Sequence, residues 1–432
     1  MSDSAPLRVG IAGLGTVGAG TVALLEADPE RLAERAGRPL VVSRVCARDR
    51  YRERGIALGG YAWSDDPLEL ARAGDVDVVV ELIGGSDGIA LELTRESLRR
   101  HKPVVTANKA MLAHHGAALA ADAEAHDVDL AFEAAVAGGI PIVKGLREGL
   151  AGDRVERVFG ILNGTCNYIL TVMRETGREF ADVLGEAQAL GYAEADPSFD
   201  VDGIDAAHKL ALLAAIAFGG KPRFDAIHIE GIRRVSALDI EFADELGYRI
   251  KLLGTARMTP AGLEQRLHPT MVKKSSPIAR VDGVFNAVGI EADPVGLVMH
   301  EGRGAGGGPT ASAVVADLID LARGNRRATF GLPSRLLADH PVAPMSAHRG
   351  SYYIRLMVLD QPGVLADVAA VLRDQDVSIE ALIQRARNPN QPVPIVLTSH
   401  ETVEARMTAA LAAIGAFATV LEPPHMIRIE PD

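Results

Sequence analysis

The residues best suited to proton transfer lie between positions 194 and 209, where several carboxylates precede one lysine. Asp205 and Lys209 are four residues apart, so they share one face of a helix. Lys209 leads into the apolar run 210–216, which predicts a helix over 204–218 with the lysine largely buried. A partly buried ammonium beside carboxylates suits a general acid, whereas a surface ion pair is the alternative. The carboxylates lack the spacing of a calcium-binding EF-hand loop, and they are Glu194, Asp196, Asp200, Asp202 and Asp205.

A second signal is the glycine pattern G-L-G-T-V-G at 13–18. It lies between a predicted strand over 7–13 and a predicted helix over 16–26. The first glycine permits a tight turn, the second admits a pyrophosphate, and the third lets the helix pack on the strand. The helix N-terminus then favours the anion. A dinucleotide site is therefore predicted, with a packing turn as the alternative.

The end of the next predicted strand, 40–46, bears on the choice of nicotinamide. It is followed by Ala47 and Arg48, where NAD sites usually carry an acidic residue for the ribose hydroxyls. A guanidinium suits the 2′-phosphate of NADPH. Asp49 follows directly and keeps NADH possible, and a solvated Arg48 is the alternative. The sequence favours NADPH.

Two further loops could bind ligands. Lys109 closes the run T-A-N-K after a predicted strand over 103–106, at the sheet edge where ligands bind. It could equally be an ordinary helix lysine, with Asn108 as the N-cap. The Gly164–Thr165 turn is either a ligand loop or an N-cap. Cys166 has no neighbouring base and is predicted to be buried and inert.

The elements that position these residues follow from hydrophobic periodicity. In the first third, strands alternate with helices, which predicts an α/β fold with a doubly wound parallel sheet. The predicted strands are 7–13, 40–46, 76–82, 103–106 and 128–132, and the predicted helices are 16–26, 89–100 and 110–126.

After residue 134 the pattern predicts an α+β region, with strands over 249–257 and 263–272 and a helix over 310–323. Residues 324–350 are aperiodic and predict a linker or irregular connection. The tail 351–432 has the order βαββαβ, which predicts a ferredoxin-like unit. Its predicted strands are 352–359, 378–387, 393–399 and 425–430, and its predicted helices are 364–375 and 403–415.

Composition excludes several classes of protein. The 432 residues are 48% hydrophobic and carry a formal charge of −12 without a basic patch, so a nucleic-acid partner is not expected. Two cysteines, Cys46 and Cys166, cannot form a disulfide framework. The apolar run 210–220 is too short to cross a bilayer, and the N-terminus lacks a signal-peptide core. A cytoplasmic protein without a membrane partner is predicted.

Taken together, these motifs resemble homoserine dehydrogenases of the long bacterial type with an appended ACT domain. Cys166 is a departure, because the family more often has Thr there. The matching stretches are GLGTVG (13–18), VVTANKA (104–110), FEAAVAGGIPI (132–142), ILNGTCNYIL (161–170), GYAEADPSFDVDGIDAAHKLALLA (191–214) and GRGAGGGPTASAVVADL (302–318). In the tail, D-Q-P-G-V-L at 360–365 is similar to ACT modules.

The resemblance implies NAD(P)-dependent interconversion of L-aspartate 4-semialdehyde and L-homoserine, with Lys209 as general acid/base and Lys109 near cofactor and substrate. It implies substrate binding by Gly191, Glu194, Asp200, Asp205 and Lys109. It implies cofactor binding by Gly13, Gly15, Thr16, Val17, Gly18, Arg48, Lys109, Gly191 and Gly306. It also implies a sodium ion held through carbonyl oxygens by Glu133, Val136, Gly138 and Ile140.

The implied organisation is a Rossmann-like nucleotide-binding domain (1–135 plus 302–330), a substrate-binding and dimerisation domain (136–301) and an ACT domain (351–432). A homodimer or homotetramer is expected. The ACT domain is expected to regulate, with L-threonine as the first candidate effector; a tail that only assembles subunits is the alternative. A dehydrogenase for another semialdehyde, or a non-catalytic sensor, are the competing functions.

Overall fold

The computed structural model describes residues 5–385 and 391–431. Its first sheet has six parallel strands in the order β3-β2-β1-β4-β5-β6. The predicted doubly wound sheet is confirmed, although sequence periodicity missed β3. The strands are β1 (Leu7–Ala12), β2 (Leu40–Cys46), β3 (Ala62–Ser64), β4 (Val78–Glu81), β5 (Val104–Thr106) and β6 (Leu130–Ala131).

Helices connect these strands and cover the sheet. The predicted helices after β1, β4 and β5 are present, and two short ones, α2 and α3, were not predicted. They are α1 (Thr16–Ala27), α2 (Pro29–Ala36), α3 (Leu68–Arg72), α4 (Ile89–Arg99) and α5 (Lys109–Ala125).

The middle of the chain forms a mainly antiparallel sheet with one short parallel strand and with helices packed on it, as an α+β region should. Most of these helices were not resolved by sequence pattern. The strands are β7 (Arg154–Ile161), β8 (His228–Ile229), β9 (Tyr248–Thr259), β10 (Gly262–Lys273), β11 (Phe285–Asp293) and β12 (Gly296–Arg303). The helices are α6 (Ile142–Lys144), α7 (Gly164–Thr176), α8 (Phe180–Ala189), α9 (Ser198–Val201), α10 (Ile204–Ala217), α11 (Ala237–Glu245) and α12 (Gly307–Ala322).

Two of these helices matter most for the site. α10 is buried from Asp205 to Ile216, because the run after Lys209 is apolar on every face. α12 returns to the first sheet and packs against α1. There the Cβ of an alanine at Gly20 would lie 2.8 Å from the Gly307 carbonyl oxygen, so both helices depend on glycine to approach closely.

The tail has the predicted βαββαβ order, with strands arranged β17-β13-β15-β14 and a short extra strand, β16. Residues 386–387 of the predicted strand 378–387 lie outside the described residues. The elements are β13 (Arg349–Leu359), α13 (Val364–Asp374), β14 (Ile379–Gln384), β15 (Pro392–Ser399), β16 (Thr402–Val403), α14 (Glu404–Gly415) and β17 (His425–Ile429).

The tail is packed against the middle region and is not joined to it only by a linker. β17 pairs in parallel with β10, so the tail strands continue the middle sheet. Residues 324–350 are irregular, as predicted, but they pack against the preceding region through bridges from Ala338 to Gly220 and from Val342 to Leu263. The sequence missed this packing because it depends on residues far apart in the chain.

No helix within residues 5–385 and 391–431 is long and apolar enough to span a bilayer.

Candidate active site

Two lysines meet at one buried carboxylate. Lys209 Nζ donates to Asp205 Oδ2 at 2.7 Å and to the Leu162 carbonyl at 2.7 Å. Lys109 Nζ lies 3.1 Å from the other oxygen, Asp205 Oδ1. The pair predicted on one helix face is confirmed, and α5 brings Lys109 to it from across the molecule.

Asn163 holds this carboxylate in place. Its Oδ1 accepts the Cys166 N–H at 2.8 Å, so it is the N-cap of α7. Its Nδ2 donates to Asp205 Oδ2 at 2.9 Å and to Asp200 Oδ1 at 2.8 Å. Sequence reasoning considered only the turn at 164–165 and missed Asn163. The available signal was an asparagine directly before a helix.

The site shifts the pKa values of Asp205 and its neighbours in different directions. Burial would raise the pKa of Asp205, but the ammonium groups of Lys209 and Lys109 hold it well below its ordinary range. Burial and the nearby Asp205 charge raise the pKa of Asp200. Burial also lowers the pKa of His208 to about 4, so this histidine is neutral near pH 7 and does not compete as a proton donor.

These groups face a cavity of about 560 Å³. It lies between the carboxyl edge of the first sheet and the helices of the middle region. The predicted site residues that line it are Val17, Lys109, Gly138, Gly191, Asp200, Asp205, Lys209 and Gly306. The lining residues that sequence reasoning did not assign a role include Asn163, Tyr192, Asn286, Arg303 and Thr310.

Glu194 and Arg48 are among the predicted residues that do not line the cavity; the others are Gly13, Gly15, Thr16, Gly18, Glu133, Val136 and Ile140. Glu194 is exposed in the turn after α8, where its carbonyl accepts from the Gln188 side chain at 3.0 Å. Arg48 is exposed two residues beyond β2. In doubly wound folds, residues just beyond this strand face the adenosine ribose of a dinucleotide.

The glycine turn before α1 has the geometry that a pyrophosphate needs. A Cβ at Gly13 would lie 2.4 Å from the Leu82 carbonyl oxygen, and one at Gly18 would lie 2.0 Å from the Gly13 carbonyl oxygen. A Cβ at Gly15 would meet no atom within 4 Å, so this position faces open space. Gly15 is also the N-cap and provides no side-chain cap, which leaves the first N–H groups of α1 open to an anion.

A second helix begins beside this turn. Gly306 is the N-cap of α12 with φ of +112°, and a Cβ at Gly307 would lie 3.0 Å from the Thr16 carbonyl oxygen. The predicted return of the 302–318 glycine run to the cofactor region therefore corresponds to a close approach of two helix N-termini.

The arginines after β2 form a cluster that sequence analysis used only in part. Arg54 Nε donates to the Leu14 carbonyl of the glycine turn at 3.0 Å. The Arg50 guanidinium lies 5.6 Å from the centre of the Trp63 ring. The run A-R-D-R-Y-R-E-R at 47–54 was the visible signal.

The segment predicted to bind sodium is buried beside the cavity. The Glu133 carboxylate accepts the N–H groups of Val143 and Lys144, each at 2.9 Å. Burial and the nearby Asp317 raise the pKa of Glu133 to about 7. Among the side chains of residues 5–385 and 391–431, no three His, Cys, Asp or Glu are grouped as metal ligands.

Comparison with known proteins decides the family. The chain is 48% identical over 432 residues to homoserine dehydrogenase of Pseudomonas aeruginosa, covering 98% of this chain and 99% of that protein. The chain belongs to the homoserine dehydrogenase family. Its relative from Neisseria gonorrhoeae is 47% identical over 431 residues, again with 98% and 99% covered.

Domain models and solved structures agree with this family. Residues 13–133 match the NAD-binding domain of homoserine dehydrogenase, residues 141–319 match its homoserine dehydrogenase domain, and residues 352–418 match the ACT domain. The solved homoserine dehydrogenase of Thiobacillus denitrificans superposes with a TM-score of 0.93 at 46% identity, covering 99% of this chain and 98% of that one. The chain is thus an NAD(P)-dependent oxidoreductase of amino-acid biosynthesis, as predicted.

Proposed function

We propose that this enzyme reduces L-aspartate 4-semialdehyde to L-homoserine, with Lys209 as the proton donor and NADPH as the preferred cofactor. The observation that carries the proposal is the convergence of Lys209 and Lys109 on the buried Asp205 at the wall of one cavity. The bound nicotinamide would supply a hydride to the aldehyde carbon.

The chain's own residues supply the proton and the binding charges. Lys209 Nζ would donate a proton to the aldehyde oxygen, so that its N–H bond breaks as the O–H bond forms, while the aldehyde carbon would take the hydride that the nicotinamide supplies. Asp205 keeps Lys209 oriented through their hydrogen bond. Lys109 presents a second ammonium to the same space. Its positive charge favours the oxygen on which negative charge develops.

The substrate's α-ammonium needs a carboxylate that is not already neutralised. Asp205 faces two lysines, whereas Asp200 lines the cavity and is hydrogen-bonded to the neutral side chains of Asn163 and Thr165. We assign the ammonium to Asp200, with Gly191 beside it. Glu194 remains a candidate, although it reaches the substrate only if the turn after α8 differs when substrate is bound.

The arginine cluster supports NADPH. Arg48 and Arg50 lie beyond β2, where the adenosine ribose sits in doubly wound folds. A solved hyperthermophilic archaeal homoserine dehydrogenase mutant in complex with NADPH is 26% identical to this chain. Its TM-score is 0.64, with 75% of this chain and 99% of that one covered. Phosphate recognition by guanidinium explains the preference.

Sodium is proposed at carbonyl oxygens of Glu133, Val136, Gly138 and Ile140. All four residues are buried, and Ile140 O accepts from Ile142 N at 2.8 Å. Within the described part of the chain, no backbone N–H donates to the carbonyls of Val136 or Gly138. Buried carbonyls without donors fit a hard monovalent cation. Replacing Na⁺ by a bulky organic cation is expected to lower activity and the melting temperature.

The ACT domain is proposed to bind an amino-acid effector, with L-threonine first. A cavity of about 300 Å³ lies at the β13–α13 turn, and Gly363, with φ of +97°, precedes the helix N-terminus. Such a terminus favours a carboxylate. Edge pairing through β14 would form a homodimer or homotetramer. Assays of the full chain with threonine, lysine and methionine test the effector, and no response to any of them would leave an assembly role.

The deciding experiment for the function is a rate measurement with purified enzyme and aspartate semialdehyde, with NADPH and NADH in turn, at the ionic strength of the cytoplasm. NADPH-dependent homoserine formation is expected. Rates with other semialdehydes that equal or exceed this one would contradict the substrate assignment.

A further inference from the structure

One arginine of the tail is bonded to the middle region beside the active site. Arg428 on β17 is 3% exposed. Its Nη1 and Nη2 donate to the two carboxylate oxygens of Glu230, at 3.0 and 2.9 Å. Its Nε donates to Glu404 of the tail at 3.0 Å. Arg428 therefore joins a carboxylate of the tail to a carboxylate that directly follows β8.

Glu230 belongs to a segment whose position is fixed by the shared sheet. β8 pairs in parallel with β10, and the Glu230 N–H donates to the Leu267 carbonyl at 2.8 Å. His228 Nε2 lies 2.7 Å from the same carboxylate. The bonds to His228 and Arg428 lower the pKa of Glu230 to about 2 against the effect of burial, so the pair is ionised near neutral pH.

The next three residues hold α9. The Ile232 N–H donates to the Val201 carbonyl at 2.9 Å. A Cβ at Gly231 would lie 2.2 Å from that same carbonyl oxygen, so the two backbones touch and only glycine fits. Arg233 Nε bonds Asp202 at 2.5 Å. Segment 231–233 thus contacts α9 through backbone, packing and charge.

α9 carries a carboxylate of the active site. Asp200 lies on α9 and lines the cavity, and its Oδ1 accepts from Asn163, which also bonds Asp205. A shift of α9 therefore changes the distance between Asp200 and the Asp205–Lys209 pair. It leaves the glycine turn of the cofactor site, on α1, untouched.

We propose that Glu230 and Arg428 are positioning residues that set the location of Asp200, so that the tail controls substrate binding through segment 231–233 and α9. This inference rests on the proposed role of Asp200 in substrate binding. The tail is then connected to the substrate site through consecutive contacts from Arg428 to Glu230, through segment 231–233 to α9, and so to Asp200.

The test uses Glu230→Gln as its main variant, because the Glu230 side chain is 41% exposed and glutamine keeps its shape while removing its charge. We expect kcat/KM for aspartate semialdehyde to fall about three- to tenfold, mainly through KM, with KM for NADPH within about twofold. Glu230→Gln combined with Arg428→Gln should be no worse than Arg428→Gln alone, since the two groups act as a unit. Arg428→Lys should recover part of the loss.

A matched control is Arg355→Gln. Arg355 on β13 also forms a buried pair with the middle region, to Asp239 at 2.7 Å, and Asp239 keeps Ser236 and Tyr353 as partners. This pair does not contact α9. Arg355→Gln is expected to lower the melting temperature as Arg428→Gln does, while leaving KM for aspartate semialdehyde unchanged.

Hydrogen exchange of the full-length enzyme provides a readout independent of any catalytic assignment. Amides of 195–203 should exchange faster in Glu230→Gln than in Arg355→Gln or the unmodified chain. Equal exchange in all three proteins, or equal and measurable increases of KM in both variants, would overturn the inference. If exchange rises but KM does not change, the role of Asp200 is wrong and the contact route stands.

Discussion

At the scale of single residues, Asp205 determines what the two lysines do. Its carboxylate is shared by Lys209 and Lys109, and it is oriented by Asn163. The two ammonium neighbours hold the pKa of this buried carboxylate well below its ordinary range, so it is ionised near neutral pH. Lys209 is therefore held at one position, which is what a proton donor requires.

Lys209→Ala is expected to lower kcat about 10²–10⁴-fold, the usual contribution of a general acid. Steady-state rates with aspartate semialdehyde measure kcat, and titration of nicotinamide fluorescence measures cofactor affinity, which should change little. Lys221→Ala is the control, because that lysine is exposed and lies 3.9 Å from Asp339, away from the cavity. A kcat for Lys209→Ala near that of the control would remove the assignment.

The arginines after β2 allow a test of cofactor choice. Arg48→Ala should weaken NADPH about ten- to a hundredfold and NADH little, because a charge-assisted phosphate contact contributes roughly 1.5–3 kcal/mol. Arg54→Ala should weaken both cofactors, since Arg54 supports the glycine turn at Leu14. Dissociation constants for both nicotinamides distinguish the two. Equal losses for Arg48→Ala would mean that this residue does not discriminate.

At the scale of elements, different glycines of the β1–α1 turn serve folding and ligand binding. Gly18 has no room for a Cβ, whereas Gly15 has free space on the side where a pyrophosphate would lie. The same residue type thus serves packing at one position and ligand approach at the other.

This contrast predicts different failures for two alanine variants. Gly18→Ala should lower stability by at least about 1–3 kcal/mol, the usual cost of overpacking. Gly15→Ala should fold normally but bind NADPH at least about tenfold more weakly. Thermal melts and cofactor titrations of both proteins provide the measurement. A normal affinity in Gly15→Ala would show that the pyrophosphate lies elsewhere.

At the scale of the whole molecule, buried charges join the tail and residues 324–350 to β10. Glu264 on β10 accepts from Arg257 at 3.0 Å and Arg266 at 3.1 Å, and it lies 3.1 Å from His348. Arg266 in turn bonds Glu430 at 3.1 Å. The tail is therefore part of one electrostatic and hydrogen-bonded unit with the region that carries the site.

Acid should loosen this unit. Despite burial, the hydrogen bond to His348 and the charge of Arg266 lower the pKa of Glu264 to about 2. Because the folded-state pKa lies below the unfolded one, its stabilisation is present above about pH 4.5 and is lost as pH falls toward 2. The loss is on the order of 3 kcal/mol. Denaturant melts between pH 7 and 3 should show a shallower decline for Glu264→Gln than for exposed Glu422→Gln.

Removing the tail should affect more than regulation. Truncation near residue 345 deletes β17 and uncovers the β10 edge. It also removes Glu430, the ion-pair partner of Arg266. We expect a lower melting temperature and loss of most activity, because removing one partner of a buried pair costs about 3–5 kcal/mol. Retention of full activity and stability by residues 1–345 would show that the tail is separable.

The sequence by itself determined the local features. Asp205 and Lys209 share a helix face because they are four residues apart, the 13–18 turn follows from its glycines, and the tail order follows from periodicity. The motifs together identified the family. These features depend on residues that are close together in the sequence, so they can be predicted without knowing the fold.

Only the tertiary structure decided which distant residues meet. It brought Lys109 to Asp205, made Asn163 a bridge between two carboxylates, and paired β17 with β10. It also left Glu194 and Arg48 outside the lining of the cavity. Spacing along the chain does not predict such contacts, because they depend on how the sheets and helices pack. They also depend on which polar groups become buried, since a buried polar group needs a hydrogen-bond partner.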